Sequence, residues 1–583
     1  MQDKQNLAGF DMVLSLSQST INYQFQQLFK RKHIHNQWNV LVGNVLDPKG
    51  EKPFHLEGEE DDLKKKIEQW MSLQNQISEA QKADNWEEVG KLVSKLKSEG
   101  LNFDFAWQAK LKPPTIEFIN KDTQNVTLEI NFSSGTLYYR PGGVTSAIST
   151  YEVNDWVYSF TCPIGRLKIK KSQMLMDADD EMELILRNSG LSESDFRIES
   201  LFLNFENANI SNFDKSKSKF SIEDAVPLQI AIESYFNQVL PGTDHPYVLG
   251  YGVTRPKINS QEAMFQPTSL EYSTSFSEKV NSKKPVPGQY SGFNFLMMLH
   301  GKDPVKSQNT GILSTSLIEL GKDSTSTTDG VFAIQKSHFK DYLTSLDSYV
   351  ASIFSEQKDV EVENGGFQQI NDLFVMKAHC NTKHIDDEIN TTYTLVRMPI
   401  ENVDRGIKVT YQFKVNIDVH IHIGKWDIYD VTLSTSGKYT YGNQINKPGK
   451  TGIMEFTIIN GEQGRFDLEN GLEAPIIAFD NNTSIIGDTF LSALLDILMF
   501  IFAWPLKIVQ GIVNQIAVDL GKENVNIQNQ KIEELRQLDM LNQTNKVILP
   551  LGKTYAYKNL RLLEDKSLVA YDISYAPVLE KQS

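Results

Sequence analysis

Residues Ile407 to Ile423, IKVTYQFKVNIDVHIHI, alternate without a break: every odd position is apolar and every even one polar. Strict alternation marks a β-strand with one buried and one solvated face. At about 3.3 Å per residue this strand spans on the order of 55 Å, against the roughly 5 to 6 residues of an ordinary strand. A sheet that tall predicts an elongated tube or slab. Such a shape suits burying a long apolar guest or a long helix better than it suits a compact catalytic pocket.

With 583 residues the chain exceeds one ordinary core, so at least two structural units are expected. Lys plus Arg number 58 and Asp plus Glu 74, a net charge of −16, which argues against nonspecific nucleic-acid binding. Cys162 and Cys380 are the only cysteines. That excludes a disulfide framework and a Cys-based zinc module, and leaves a single bridge open. The start, MQDKQNLAGFDMVLSLSQS, lacks the basic and apolar regions of a secretory signal. The expected location is therefore the cytoplasm, or outside the cell by a non-classical route. Thr489 to Leu506 approaches membrane-spanning length but carries Asp496 near its middle and Pro505 near its end. Charge is costly inside a bilayer, so a buried or interfacial helix is expected.

Along the chain, Phe10, Met12, Leu14 and Leu16 alternate, and then Ile21, Phe25, Leu28 and Phe29 follow a helical period behind Ser17 or Ser19 as cap. Gly58 to Gly100 reads as an inserted helical hairpin. Its apolar positions are Leu63, Ile67, Trp70 and Ile77, then Trp86, Val89, Leu92, Val93 and Leu96 behind Asp84 as cap. It is expected to lie on the sheet, with a partner-docking arm as the other reading. Strand alternation returns from Thr115 to Lys170, with turn chemistry at Pro141-Gly142-Gly143. A helix follows within Ile222 to Leu240, ending at Pro241-Gly242. Val331 to Phe354 repeats the N-terminal order of strand, Ser337 as cap, and helix with Phe339, Leu343, Leu346, Val350 and Ile353 inward. This faint repeat suggests two related lobes. The division expected is 1–265, with the hairpin insert at 58–100, and 266–583, with an apolar helix at 489–520.

Catalytic motifs are missing: neither G-x-S-x-G nor H-E-x-x-H occurs. Gly449-Lys450-Thr451 and Gly552-Lys553-Thr554 resemble the end of a phosphate loop but lack its first Gly, and read as turns. His420 and His422, with Asp418, are the one metal-like spacing, with His379 and His384 expected in the preceding loop. A third and fourth ligand are not identifiable, so no metal or other cofactor is assigned. The helix bearing Phe490, Leu494, Leu498 and Ile501 is apolar enough to fill the concave side of a tall sheet. Imperfect filling would leave a channel that takes acyl chains at about 0.8 kcal/mol per buried methylene. The expected lining is Val409, Phe413 and Ile417 from the strand, and Leu494, Leu498 and Ile501 from the helix.

Four segments carry a family resemblance: GFDMVLSLSQSTINYQFQQLF at residues 9–29, FAWQAKLKPPTIEF at 105–118, GFNFLMML at 292–299 and DGVFAIQKSHFKDYL at 329–343. Together they resemble the OrfX-type accessory proteins of clostridial neurotoxin gene clusters and their bacterial relatives, of the tubular lipid-binding (TULIP) superfamily. The resemblance implies an α+β fold in which long, curved antiparallel sheets wrap around long helices. It also implies a non-enzymatic, lipid-binding protein that accompanies a bacterial toxin, its partners being a lipid or membrane surface and a toxin or related accessory protein. No catalytic residue carries over. The rival reading is a membrane-active or insecticidal toxin that inserts its apolar helix, with protonation of Asp496 easing insertion. A hydrolase with an unfamiliar site ranks third.

Overall fold

A computed structural model of the chain describes residues 7–46, 52–174, 197–220, 225–240, 246–254, 267–280, 288–304, 313, 316–320, 329–355, 359–384, 387–399, 401–403, 406–423, 427–436, 452–459, 466–468, 476–481, 547–550 and 555–575. For 382–389 and 401–481 the backbone alone is described. The architecture is α+β, and the strand pairings described are antiparallel, in three sheets. The apolar segment 489–520 lies outside the described residues.

A six-stranded sheet runs in the order Ser269–Ser275, Gly292–Met298, Met12–Ser17, Gly330–Gln335, Leu568–Tyr575, Tyr555–Leu563. The first strand of the chain is thus flanked by strands from beyond residue 265. Its two faces separate two cores. Met12, Leu14 and Leu16 enter the large one, whereas Val13, with Leu296, Val331, Ala333 and Ala570, enters a smaller one. Phe10, expected to share the face of Met12, precedes the strand and packs in the smaller core.

The nine-stranded sheet has the path Val547–Ile548, Val248–Thr254, Arg197–Leu203, Val157–Ile169, Asn125–Tyr139, Phe105–Phe118, Gln37–Gly43, Phe54–Glu57, with Ser149–Asn154 beside Asn125–Tyr139. It curls around the Gln18–Lys30 helix. Ser17 caps that helix, its side chain accepting from the Thr20 amide at 3.2 Å. Asn22 accepts from the Ile116 N–H at 2.7 Å and donates to the Ile116 carbonyl at 3.1 Å, while Gln24 donates to the carbonyls of Val248 and Leu249. The two strands so engaged lie four steps apart in the sheet, about 19 Å if it were flat, and a helix about 10 Å across reaches both because the sheet bends around it. Two register irregularities between Phe105–Phe118 and Asn125–Tyr139 promote the bend, one of them at Pro113-Pro114, which have no N–H for the ladder. Gly135 sits opposite Ala109 at φ +147, where a Cβ would meet the Gln108 carbonyl oxygen at 2.2 Å.

The helical hairpin, Glu60–Lys82 and Trp86–Ser98, lies on the outer face of this sheet. Trp70, Ile77 and Leu96 pack with Leu41, Phe103 and Ala106. Val40 and Trp107, the immediate neighbours of Leu41 and Ala106, face the inner core instead. Two expectations change: Asn85 rather than Asp84 caps the second helix, accepting from the Glu88 amide, and Trp86 is 62% exposed instead of packed inward.

Candidate functional site

The long strand is present as Gly406–Ile423, 18 residues, at the centre of a ten-stranded sheet. Both its edges are paired by strands set end to end. Glu401–Val403 and Asp387–Arg397 share one edge, and Gly452–Ile459 and Asp427–Ser436 the other. Backbone donors and acceptors along so long a strand therefore find partners that no single neighbour of ordinary length supplies.

Register extends the apolar positions across the sheet. Phe413 is opposite Leu395, which is opposite Met376. Val415 joins Tyr393 and Ala378, and Ile417 joins Thr391 and Cys380 on one side and Leu433 and Phe479 on the other. Val409 is opposite Phe456, itself opposite Leu468. Where side chains are described, Met376, Ala378, Cys380, Tyr393 and Leu395 are buried. The Lys336–Ser355 helix packs on them, with Phe354 edge-on to Tyr393 at 5.4 Å between centroids. Ser337 is the second residue of that helix, not its cap. Of the expected lining, positions 409, 413 and 417 thus fall in these rows, whereas Leu494, Leu498 and Ile501 lie outside the described residues.

A buried ion pair stands at the helix-to-sheet junction. Arg397 donates from Nε to Asp347 at 2.7 Å, both nearly inaccessible, and its guanidinium lies 3.9 Å over the Phe374 ring. Neither residue was singled out by the sequence. The available signal is a carboxylate on the inward stripe Phe339, Leu343, Asp347, Ala351, Phe354.

A second buried charge is Asp11. It accepts from the Leu299 amide at 2.9 Å, Lys302 Nζ at 3.1 Å and His338 Nε2 at 2.7 Å. An ionised carboxylate only accepts, so His338 carries its proton on Nε2. Burial pushes the Asp11 carboxyl up, but the bonds from His338, Leu299 and Lys302 outweigh burial and hold it at about 2. Asp and His stand as orienter and base would, and the bonds described tie the first strand, the 299–302 turn and the Lys336–Ser355 helix together.

The interior of the nine-stranded sheet is filled by rings. Trp38 stacks on Tyr235 at 3.7 Å and Trp107 on Phe132 at 5.2 Å between centroids. Cys162 and Cys380 are both free and buried, and burial pushes the Cys162 thiol up. His379 and His384 lie on the Leu373–His384 strand rather than in a loop, and His379 bonds Glu363 and Thr392. Among residues with described side chains, no group of three or more His, Cys, Asp or Glu could hold a metal. Among the described residues, no helix is long and apolar enough to cross a membrane.

Neither a known family profile nor a curated protein sequence matches the chain. Solved structures do. P47 from Clostridium botulinum A2 matches over 97% of this chain and 98% of its own at 9% identity, with a TM-score of 0.40. P47 of Clostridium botulinum E1 matches over 98% and 100% at 9% identity, with a TM-score of 0.41. A lipopolysaccharide binding protein matches over 98% and 100% at 10% identity, with a TM-score of 0.27. All three TM-scores lie below 0.5, so the functional reading below rests on this chain's own residues.

Proposed function

We propose that the chain is a non-enzymatic protein that binds the acyl portion of a lipid in an apolar groove, as an accessory or component of a bacterial toxin system. The observation that carries the lipid reading is the register of the ten-stranded sheet: apolar position 413 continues the buried row of Met376 and Leu395, 415 that of Ala378 and Tyr393, and 417 leads through position 391 to the buried Cys380, along a strand of 18 residues on which 409 shares their face. The groove is assigned between Val409, Phe413 and Ile417 and the helix bearing Leu494, Leu498 and Ile501. On this reading the chain divides into lobes 1–265 and 266–583, and the toxin-system role follows the sequence resemblance alone.

Leu498→Asp and Phe413→Asp test the placement. Both abolish lipid co-purification while far-ultraviolet circular dichroism stays unchanged; lipid retained by folded variants refutes the groove. A second reading, a membrane-active toxin, draws on the apolar run Thr489 to Leu506 around Asp496. Dye release from phospholipid vesicles that rises in acid would select it, because a protonated carboxyl enters the bilayer at lower cost.

A further inference from the structure

The polar positions of the long strand carry chemistry that the lipid reading leaves unused. His420 is in register with Glu388 on one neighbouring strand and with Asp430 on the other. Directly opposed residues of an antiparallel pair share a face, with Cα atoms about 4.5 to 5.5 Å apart, so these three positions form a row about 10 Å wide. His422 follows on the same face, about 6.6 Å along the strand. The adjoining row joins Asn390, Asp418, Thr432 and Asp480, and Lys383 is in register with Glu388.

Two imidazoles at i and i+2, with a carboxylate one strand away on each side, make a nitrogen and oxygen donor set suited to zinc-class ions. Such ions bind His and Asp or Glu at about 2.0 to 2.2 Å, which requires donors gathered on one face. Charge favours the same occupant. These rows bring together Glu388, Asp418, Asp430 and Asp480 with Lys383 as the one permanent cation. A divalent ion offsets that surplus.

We infer that Glu388, His420, His422 and Asp430 form a site for one divalent transition-metal ion, which fastens the end of the long strand to both of its neighbours. The competing arrangement is a metal-free ladder of ion pairs running Lys383, Glu388, His420, Asp430.

Isothermal titration calorimetry of the full chain, stripped with chelator and titrated with Zn²⁺ alone, separates the two. One saturating equivalent is expected. His420→Ala weakens it by at least about tenfold, while Lys383→Ala, which removes the cation in register with Glu388, leaves it as tight or tighter. Absence of saturable binding to the wild-type chain overturns the site, and that result needs no variant to fold. Undiminished binding after His420 and His422 are both replaced, with circular dichroism intact, overturns it equally.

Discussion

Replacing Asp11 with Ala removes one acceptor from three donors at once. The Leu299 amide and the His338 ring are buried, and each loses an acceptor at a cost of about 1 to 3 kcal/mol. Lys302, its side chain 49% exposed, regains water and adds less than about 1 kcal/mol. The sum, about 2 to 7 kcal/mol, brackets the about 3 to 5 kcal/mol usual for breaking a buried ion pair. A chain this long is not expected to unfold in one step, so the effect is read locally by amide hydrogen exchange in Met12–Ser17 and Gly330–Gln335. There, 3 kcal/mol is about a hundredfold faster exchange, normalised to intrinsic rates. The effect also has a signed pH dependence. The folded carboxyl sits at about 2 and the free one at 3.8, so its stabilisation is present above the free value and is lost as pH falls through the folded one. The gap between wild type and Asp11→Ala, of which about 2 kcal/mol is pH-linked, is therefore full at about pH 5 and narrows from about pH 4 towards 2. Exchange that is unchanged by the substitution, or a gap that is constant across that range, refutes the reasoning.

Asp347→Ala strands Arg397 in a buried site and costs about 3 to 5 kcal/mol, whereas Asp347→Leu with Arg397→Met recovers most of the loss; amide hydrogen exchange in Lys336–Ser355 makes the comparison. Gly135→Ala forces a Cβ onto the Gln108 carbonyl at a backbone angle that side chains rarely adopt, and is expected to lower the melting temperature more than any exposed substitution. Trp70→Ala costs about 3 to 5 kcal/mol, while Trp86→Ser, at the exposed start of its helix, changes local stability by less than about 0.5 kcal/mol, both read by amide hydrogen exchange in Glu60–Lys82 and Trp86–Ser98.

The parts legible in the sequence are those with a local period. Seventeen alternating residues announce the long strand, and Ser17 followed by a helical stripe announces the turn from strand to helix. Three of the four segments that carry the family resemblance become adjacent strands, Gly292–Met298, Met12–Ser17 and Gly330–Gln335, and a fourth, Phe105–Phe118, receives the helix that follows the first. What stays hidden depends on contacts between distant residues: Asp11 meets His338 across 327 positions and Asp347 meets Arg397 across 50. Trp86 misleads because its helical spacing fits the inward stripe, although it is the first residue of its helix and is exposed where Trp70 is buried. For the candidate groove, alternation identifies which strand positions share a face, while register adds the neighbours that lengthen each row.

The most direct test of the central claim is native mass spectrometry of the chain purified from a lipid-containing lysate, followed by solvent extraction and lipid identification. The lipid reading predicts a stoichiometric adduct that extraction resolves into a defined acyl-bearing class. A folded chain that carries no lipid and takes up none from added phospholipid would contradict it.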